Sequence, residues 1–278
     1  MSYKTILAYL NDKRHAEAIL EPAVRLAGRN NGHLIGMHAY AGVPAPPVPV
    51  PYGSEVLKAV AAAQQQETKE IADIFSRMTA NAPLVAEWRA EKGPHIDPIA
   101  VVIDHSQSAD LTIVGQTDPD WDSTPFQDIA EHVALGSGRP VLVVPYIGRY
   151  ANVGRNVVIA WKASREAARA VFDALPILKQ AEQVQILEIE EDSRGRNGAS
   201  ADKGIVVALA RHGIKASVRT SVAGDISVGD EILSRLTDMG ADLLVMGAYG
   251  HSRMRELVFG GVTRHIAKHM TVPTLFSH

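Results

Sequence analysis

The sequence contains no cysteine. That absence removes disulfides, thiolate nucleophiles, Cys-ligated zinc and iron–sulfur clusters in one step, and it suits a reducing cytosol. Aromatic residues make up only 5%, and Trp88, Trp121 and Trp161 are scattered, so there is no aromatic platform on which bases would stack. No apolar run approaches the ~18 residues that would suggest a membrane span. Positive charge is not in excess either, because 28 Lys and Arg stand against 31 Asp and Glu for a net charge of -3, the wrong balance for holding a phosphate backbone. Residues Met1 to Leu7 run directly into a strand-like segment, without the basic and apolar stretches of a leader. The expectation is a soluble cytoplasmic protein, with no nucleic-acid and no membrane partner.

What is present is ordinary globular usage, 46% hydrophobic and 21% charged over 278 residues, enough for one large or two ordinary domains. Two halves follow one plan. Ala109-Asp110-Leu111-Thr112-Ile113-Val114-Gly115 reads against Ala241-Asp242-Leu243-Leu244-Val245-Met246-Gly247, and Glu131-His132-Val133-Ala134 reads against Arg264-His265-Ile266-Ala267. Thr5-Ile6-Leu7-Ala8-Tyr9 and Val157-Val158-Ile159-Ala160-Trp161 open the two halves at an offset of 152. A repeat of this length points to duplicated domains, here placed at 1–148 and 149–278 with the join in 146–154.

Each half alternates β-branched runs with helical stretches, the pattern of a parallel sheet covered by helices. Strands are expected near 4–10, 33–40, 84–90, 110–115 and 140–145, then near 155–161, 183–189, 215–222, 241–247 and 273–277. Helices are expected near 14–29, 54–80, 95–107 and 125–136, then near 164–178, 199–212, 227–239 and 260–270. Runs such as Leu111–Val114 and Leu243–Met246 are apolar throughout, as strands buried on both faces must be. The segment 43–52 carries Pro44, Pro46, Pro47, Pro49 and Pro51, which favours an extended surface excursion, either a stiff connector or a lid.

Ligands of an open α/β sheet bind beyond the carboxyl ends of the strands. After the fourth strand of the second half comes a loop with Gly247, Gly250, Gly260 and Gly261, accompanied by His251, Arg253, Arg255 and Arg264. Glycines permit close approach of a ligand to bare backbone, and a helix starting at that point presents unpaired N–H groups to phosphate oxygens. The same glycines would also serve a turn and a tight helix–strand contact.

This loop resembles that of the universal stress protein family, whose nucleotide-binding members carry Gly, two residues, Gly, nine residues, then Gly followed by Ser or Thr. Gly247, Gly250 and Gly260 match it, and with both halves included the resemblance covers nearly the whole chain, as in a tandem member. It implies an α/β fold of two doubly wound domains, each a five-stranded parallel sheet of order 3-2-1-4-5 with helices on both faces. It also implies ATP or AMP binding in some members, and a role in stress survival rather than in metabolic catalysis. The expected contacts in the second half are Gly247, Gly250, Gly260, Gly261 and Val262 through the backbone, Thr263 and Arg253 as helpers, and Ala160, Trp161, Lys162 and Ile189 framing the ligand.

There are departures. Gly261 stands where the family has a hydroxyl residue. Lys162 aligns with the acidic residue that often follows the first strand, and an ammonium cannot hold Mg²⁺ as a carboxylate does. In the first half Asp118 falls opposite Gly250, with Gln127 and Asp128 opposite Gly260 and Gly261. Phosphates facing Asp118, Asp120, Asp122 and Asp128 would be repelled, so the first domain reads as having lost its phosphate site.

His265 and His269 lie four apart on the last expected helix, a spacing open to metal ligation or to plain helix-end histidines. Ser164 precedes Arg165-Glu166-Ala167 as a helix cap would. Met246, Met254 and Met270 are read as core filling. No nucleophile elbow, phosphate-loop lysine motif or dinucleotide fingerprint occurs at a strand-to-helix turn, and no catalytic residue is singled out. The leading expectation is a stress-response protein that binds an adenine nucleotide in its C-terminal domain, its two halves packed as an intramolecular pseudo-dimer with a further homodimer left open. The alternative is an interaction or sensory scaffold that binds no nucleotide, and slow ATP hydrolysis is a third, weaker reading.

Overall fold

The computed structural model describes residues 2–41, 53–92, 97–120, 129–190, 201–248 and 261–278. The Pro-rich stretch 43–52, the acidic residues Asp122 and Asp128, and the loop residues Gly250, Arg253 and Gly260 lie outside them. Two compact units divide the chain, Tyr3–Ser137 and Gly138–His278.

In the first unit β1 (Thr5–Tyr9), β2 (His33–Tyr40), β3 (Val85–Lys92) and β4 (Leu111–Gly115) form a parallel sheet in the order β3-β2-β1-β4. Ile6, Leu7, Leu34, Leu111 and Ile113 are fully buried, because central strands of a doubly wound sheet are covered on both faces. Helices α1 (Ala16–Arg29), α2 (Gly53–Thr79), α3 (Pro98–Ser106) and α4 (Ile129–Gly136) connect the strands. The third starts later than composition implies. Asp97 accepts hydrogen bonds from the N–H groups of Ile99 and Ala100, and Pro98 occupies the first turn, where its missing N–H costs nothing.

In the second unit the strands β5 (Val141–Val144), β6 (Asn156–Ala160), β7 (Gln183–Glu190), β8 (Ala216–Val222), β9 (Leu243–Gly247) and β10 (Thr274–Ser277) are joined through α5 (Arg165–Asp173), α6 (Leu175–Leu178), α7 (Ala201–Arg211), α8 (Val228–Asp238) and α9 (Val262–His269). Strands β8-β7-β6-β9-β10 run parallel, which is the order 3-2-1-4-5 of the second half. One expected helix, 164–178, is two: α5 ends at Asp173 and α6 restarts with Pro176 in its first turn, since a proline there cannot donate to the preceding helical ladder.

Strand β5, the fifth of the first half, belongs by its contacts to the second unit, where it runs antiparallel to β10 with Leu142 opposite Leu275. Both strands are buried along their length, so their backbone groups must be paired with each other or with neighbouring strands. The pairings within β3-β2-β1-β4 and within β8-β7-β6-β9-β10 are all parallel.

The repeated Ala-Asp-Leu block has a structural cause. Asp110 accepts the N–H groups of Lys4 and Thr5, and Asp242 accepts those of Gly154, Arg155 and Asn156. Each carboxylate clamps the entry of the first strand in its half. The N–H groups of Asp110 and Asp242 in turn donate to the carbonyls of Thr5 and Asn156. Thr5 is therefore equivalent to Asn156, one residue short of the offset read from the opening blocks.

Candidate functional site

In the second unit the carboxyl ends of β6, β7 and β9 meet the first turn of α5. Ser164 caps that helix, its Oγ accepting from the N–H of Ala167 at 3.2 Å, as the sequence implies. The first turn is held tightly against the end of β9. A Cβ built on Gly247 would lie 2.5 Å from the Ala167 nitrogen and 2.6 Å from the Glu166 carbonyl carbon. Gly247 is thus required by a helix–strand approach of backbone on backbone, whatever else it does. Beneath it Glu166 is 4% exposed and hydrogen-bonded to Arg165 Nε. Burial alone would raise this carboxyl, but the Arg165 guanidinium, a backbone N–H and the Ser164 hydroxyl hold it below the usual glutamate value. It is a buried carboxylate that sequence reading missed.

Of the expected site residues, Ala160 and Ile189 lie partly exposed at the ends of β6 and β7, and Lys162 is exposed. Trp161 follows β6 directly and donates its backbone N–H to Leu187 at 2.9 Å. Its indole Nε1 is buried and has no hydrogen-bond partner among the described residues, which is uncommon for a group that pays a desolvation cost when left unmatched. Gly261 caps α9 with φ -53° and no side-chain hydrogen bond to the helix start. That φ is open to any residue, so backbone conformation does not demand a glycine there. Val262 is partly exposed and Thr263 buried. Structure brings Ala160, Trp161 and Ile189 together along one sheet edge, with Gly247 one strand away.

His265 and His269 share a face of α9, with ring centroids 4.5 Å apart. The partner that sequence spacing did not supply comes from α8, where Asp230 Oδ1 lies 2.9 Å from His265 Nε2. A Cβ on Gly229 would come within 2.5 Å of the His265 ring, so the glycine admits the imidazole. His269 Nδ1 is 2.9 Å from the His265 carbonyl. Among the described residues no group of three or more His, Asp or Glu could hold a metal ion.

The equivalent corner of the first unit differs. With the one-residue correction, Leu10 matches Trp161, and each donates its N–H to the second strand of its half. The acidic residue after the first strand is then Asp12 in the first half, opposite Ala163. The segment Leu10-Asn11-Asp12 was the available signal, hidden by the misplaced offset. Asp12 is 3% exposed, and its oxygens accept from Asn11 Nδ2 at 2.7 Å and from the His15 N–H at 2.9 Å, with His15 Nδ1 3.0 Å from both. Burial would raise this carboxyl, yet the side-chain and backbone hydrogen bonds and the charge of His15 keep it below its ordinary value. On the other side His15 Nε2 lies 3.5 Å from Asp118 Oδ2, so the first residue of the acidic loop faces a histidine and not open solvent alone. Neighbouring Tyr9 is buried, and burial together with the Asp12 charge pushes its hydroxyl well above the ordinary tyrosine range.

No curated protein matches the sequence at a significant level. Among solved structures, a universal stress protein from Archaeoglobus fulgidus DSM 4304 is similar over 98% of this chain and 95% of its own, with 16% identity and a TM-score of 0.68. A putative universal stress protein from Pseudomonas aeruginosa UCBPP-PA14 is similar over 99% and 93%, with 13% identity and a TM-score of 0.60. A universal stress protein in complex with cAMP aligns with 53% of this chain and 100% of its own, at 21% identity and a TM-score of 0.35. The first two likenesses establish a common fold. The sequence model of the universal stress protein family matches twice, over residues 2–145 and 155–278, and this double match over an internally repeated doubly wound fold makes the chain a tandem member of the universal stress protein family.

Proposed function

We propose that the C-terminal half of this protein binds an adenine nucleotide, ATP or AMP, at the carboxyl ends of β6, β7 and β9, and that the N-terminal half has lost the phosphate site. The protein then acts in the cytoplasm as a stress-response binding protein and not as a metabolic enzyme. The observation that carries this reading is Trp161, whose indole N–H is buried, without a hydrogen-bond partner among the described residues, at the strand ends where the base would lie. A ring nitrogen or hydroxyl of a bound nucleoside would supply the missing acceptor. The start of α9 at Gly261 supports an anion at the opposite end of the same ligand, since the positive end of a helix dipole favours negative charge. Gly247 is not counted, because packing alone accounts for it. Gly250, Gly260 and Arg253 complete the proposal from the sequence motif. In the first half Asp12, Asp118 and Asp120 stand at the matching corner, where carboxylates disfavour phosphate.

Calorimetric titration with ATP, ADP and AMP, with and without Mg²⁺, tests this. Binding is expected in the wild type, with little dependence on Mg²⁺ because Lys162 and Ala163 follow β6 where a carboxylate would be needed. It should vanish in Gly250→Asp and weaken in Trp161→Phe by roughly tenfold, the cost of one hydrogen bond of ~1.4 kcal/mol. Absence of wild-type heat with all three nucleotides overturns the reading and leaves the scaffold alternative.

A further inference from the structure

In the first unit the segments after β1 and β4 are joined across the strand ends by one imidazole. His15, at the start of α1, has its Nδ1 3.0 Å from both oxygens of Asp12, and Asp12 is itself locked by the Asn11 amide and the His15 backbone N–H. A carboxylate on Nδ1 fixes the tautomer: the proton of the neutral ring sits on Nδ1, and Nε2 carries a lone pair. That lone pair faces Asp118 Oδ2 at 3.5 Å. Neutral His15 therefore sets a lone pair against a carboxylate, which is repulsive, whereas a second proton converts the same contact into an ion pair. Asp118 in turn organises its own loop, its Oδ1 accepting the N–H of Asp120 at 3.0 Å.

We propose that His15 is a proton-operated tie in the first unit, holding the loop after β4 onto the segment after β1 when Nε2 is protonated and releasing it when Nε2 is not. Among the described residues the charged groups around the imidazole are few. Asp12 and Asp118 favour the cation, and the adjacent Arg14 opposes it. Lys13 is engaged with Glu70 of α2 at 2.7 Å, and Glu17 of α1 pairs with Arg77 of α2. From β2, His38 turns its Nδ1 to the Leu10 carbonyl at 2.7 Å. The Asp12 hydrogen bond is the largest influence on His15 and, despite partial burial, places its titration above the ordinary histidine value of 6.5. A histidine raised on folding contributes stability at low pH that is lost as pH rises through its folded value, so the tie is closed in acid and opens as the medium becomes neutral to alkaline. A loop whose position follows protonation in this range gives the half without a phosphate site a sensory role of its own.

The test is hydrogen exchange of the full chain from pH 5.5 to 8.5, read at the amides of Gln116, Thr117, Asp118 and Asp120 and corrected for intrinsic exchange, in parallel with NMR titration of the His15 ring. Wild-type protection of this loop should rise roughly two- to five-fold as pH falls through the His15 titration, the size of one partly exposed ion pair. His15→Gln should be flat. Asp118→Asn keeps an acceptor for the Asp120 N–H and removes only the charge, so it should fold normally and be nearly flat while the His15 ring still titrates. Flat wild-type protection overturns the proposal, and so does an Asp118→Asn variant that keeps the full wild-type response.

Discussion

At the scale of single residues the two halves use the same aspartate and different glycines. Asp110 and Asp242 each hold the entry of a first strand by accepting two or three backbone N–H groups, which explains why Ala-Asp-Leu is the clearest repeated block. Asp242 differs in environment, for burial outweighs its three backbone hydrogen bonds and lifts its carboxyl above the ordinary value. Gly247 is a packing glycine first. Its missing Cβ faces the α5 backbone and not the end of a flexible side chain, so Gly247→Ala is expected to cost about 1–3 kcal/mol by overpacking. Denaturant unfolding measures this without any nucleotide. An unchanged midpoint would show that the helix can retreat and would return Gly247 to ligand contact alone.

At the scale of elements, caps set where helices begin, as two side chains illustrate. Ser164 serves α5 and Asp97 serves α3. Replacement of either by Ala should destabilise the protein by about 1 kcal/mol, read as a lower denaturant midpoint with unchanged slope. Ser164→Ala should leave nucleotide affinity within about twofold, since one cap at that corner is structural; a much larger loss would make the hydroxyl a ligand contact. The helix boundary at Pro98 was legible in part, because proline is placed by local rules. The break between α5 and α6 was not, since an amphipathic pattern continues across it and only packing shows that the chain restarts.

At the scale of the molecule, a duplicated fold has come to carry two unlike corners. Both have the strand order of the family around their first strand, yet one surrounds a carboxylate–imidazole–carboxylate row and the other an indole N–H with no acceptor among the described residues. No helix among the described residues is long and apolar enough to cross a membrane. If nucleotide binds as proposed, saturating ATP or AMP should stabilise the C-terminal half by RT ln(1 + [L]/Kd), about 2.7 kcal/mol at a hundredfold excess over Kd. Hydrogen exchange should slow in 156–190 and 261–278 and stay unchanged in 5–40. Protection confined to the N-terminal half would reverse the division of labour.

Fold class and duplication were legible in the bare sequence, because alternation of buried strands and amphipathic helices is a local, periodic signal and it occurs twice with matching blocks. The acidic character of the first half's loop was also legible, as charge is written in residue type. Contacts that join distant segments were not. Asp12, His15 and Asp118 meet only because parallel strands bring two loops to one sheet end, and Asp230 reaches His265 only because Gly229 lets two helices close up. The direction of the β5–β10 pairing likewise came from tertiary structure, for a short apolar strand has the same pattern whichever way its neighbour runs.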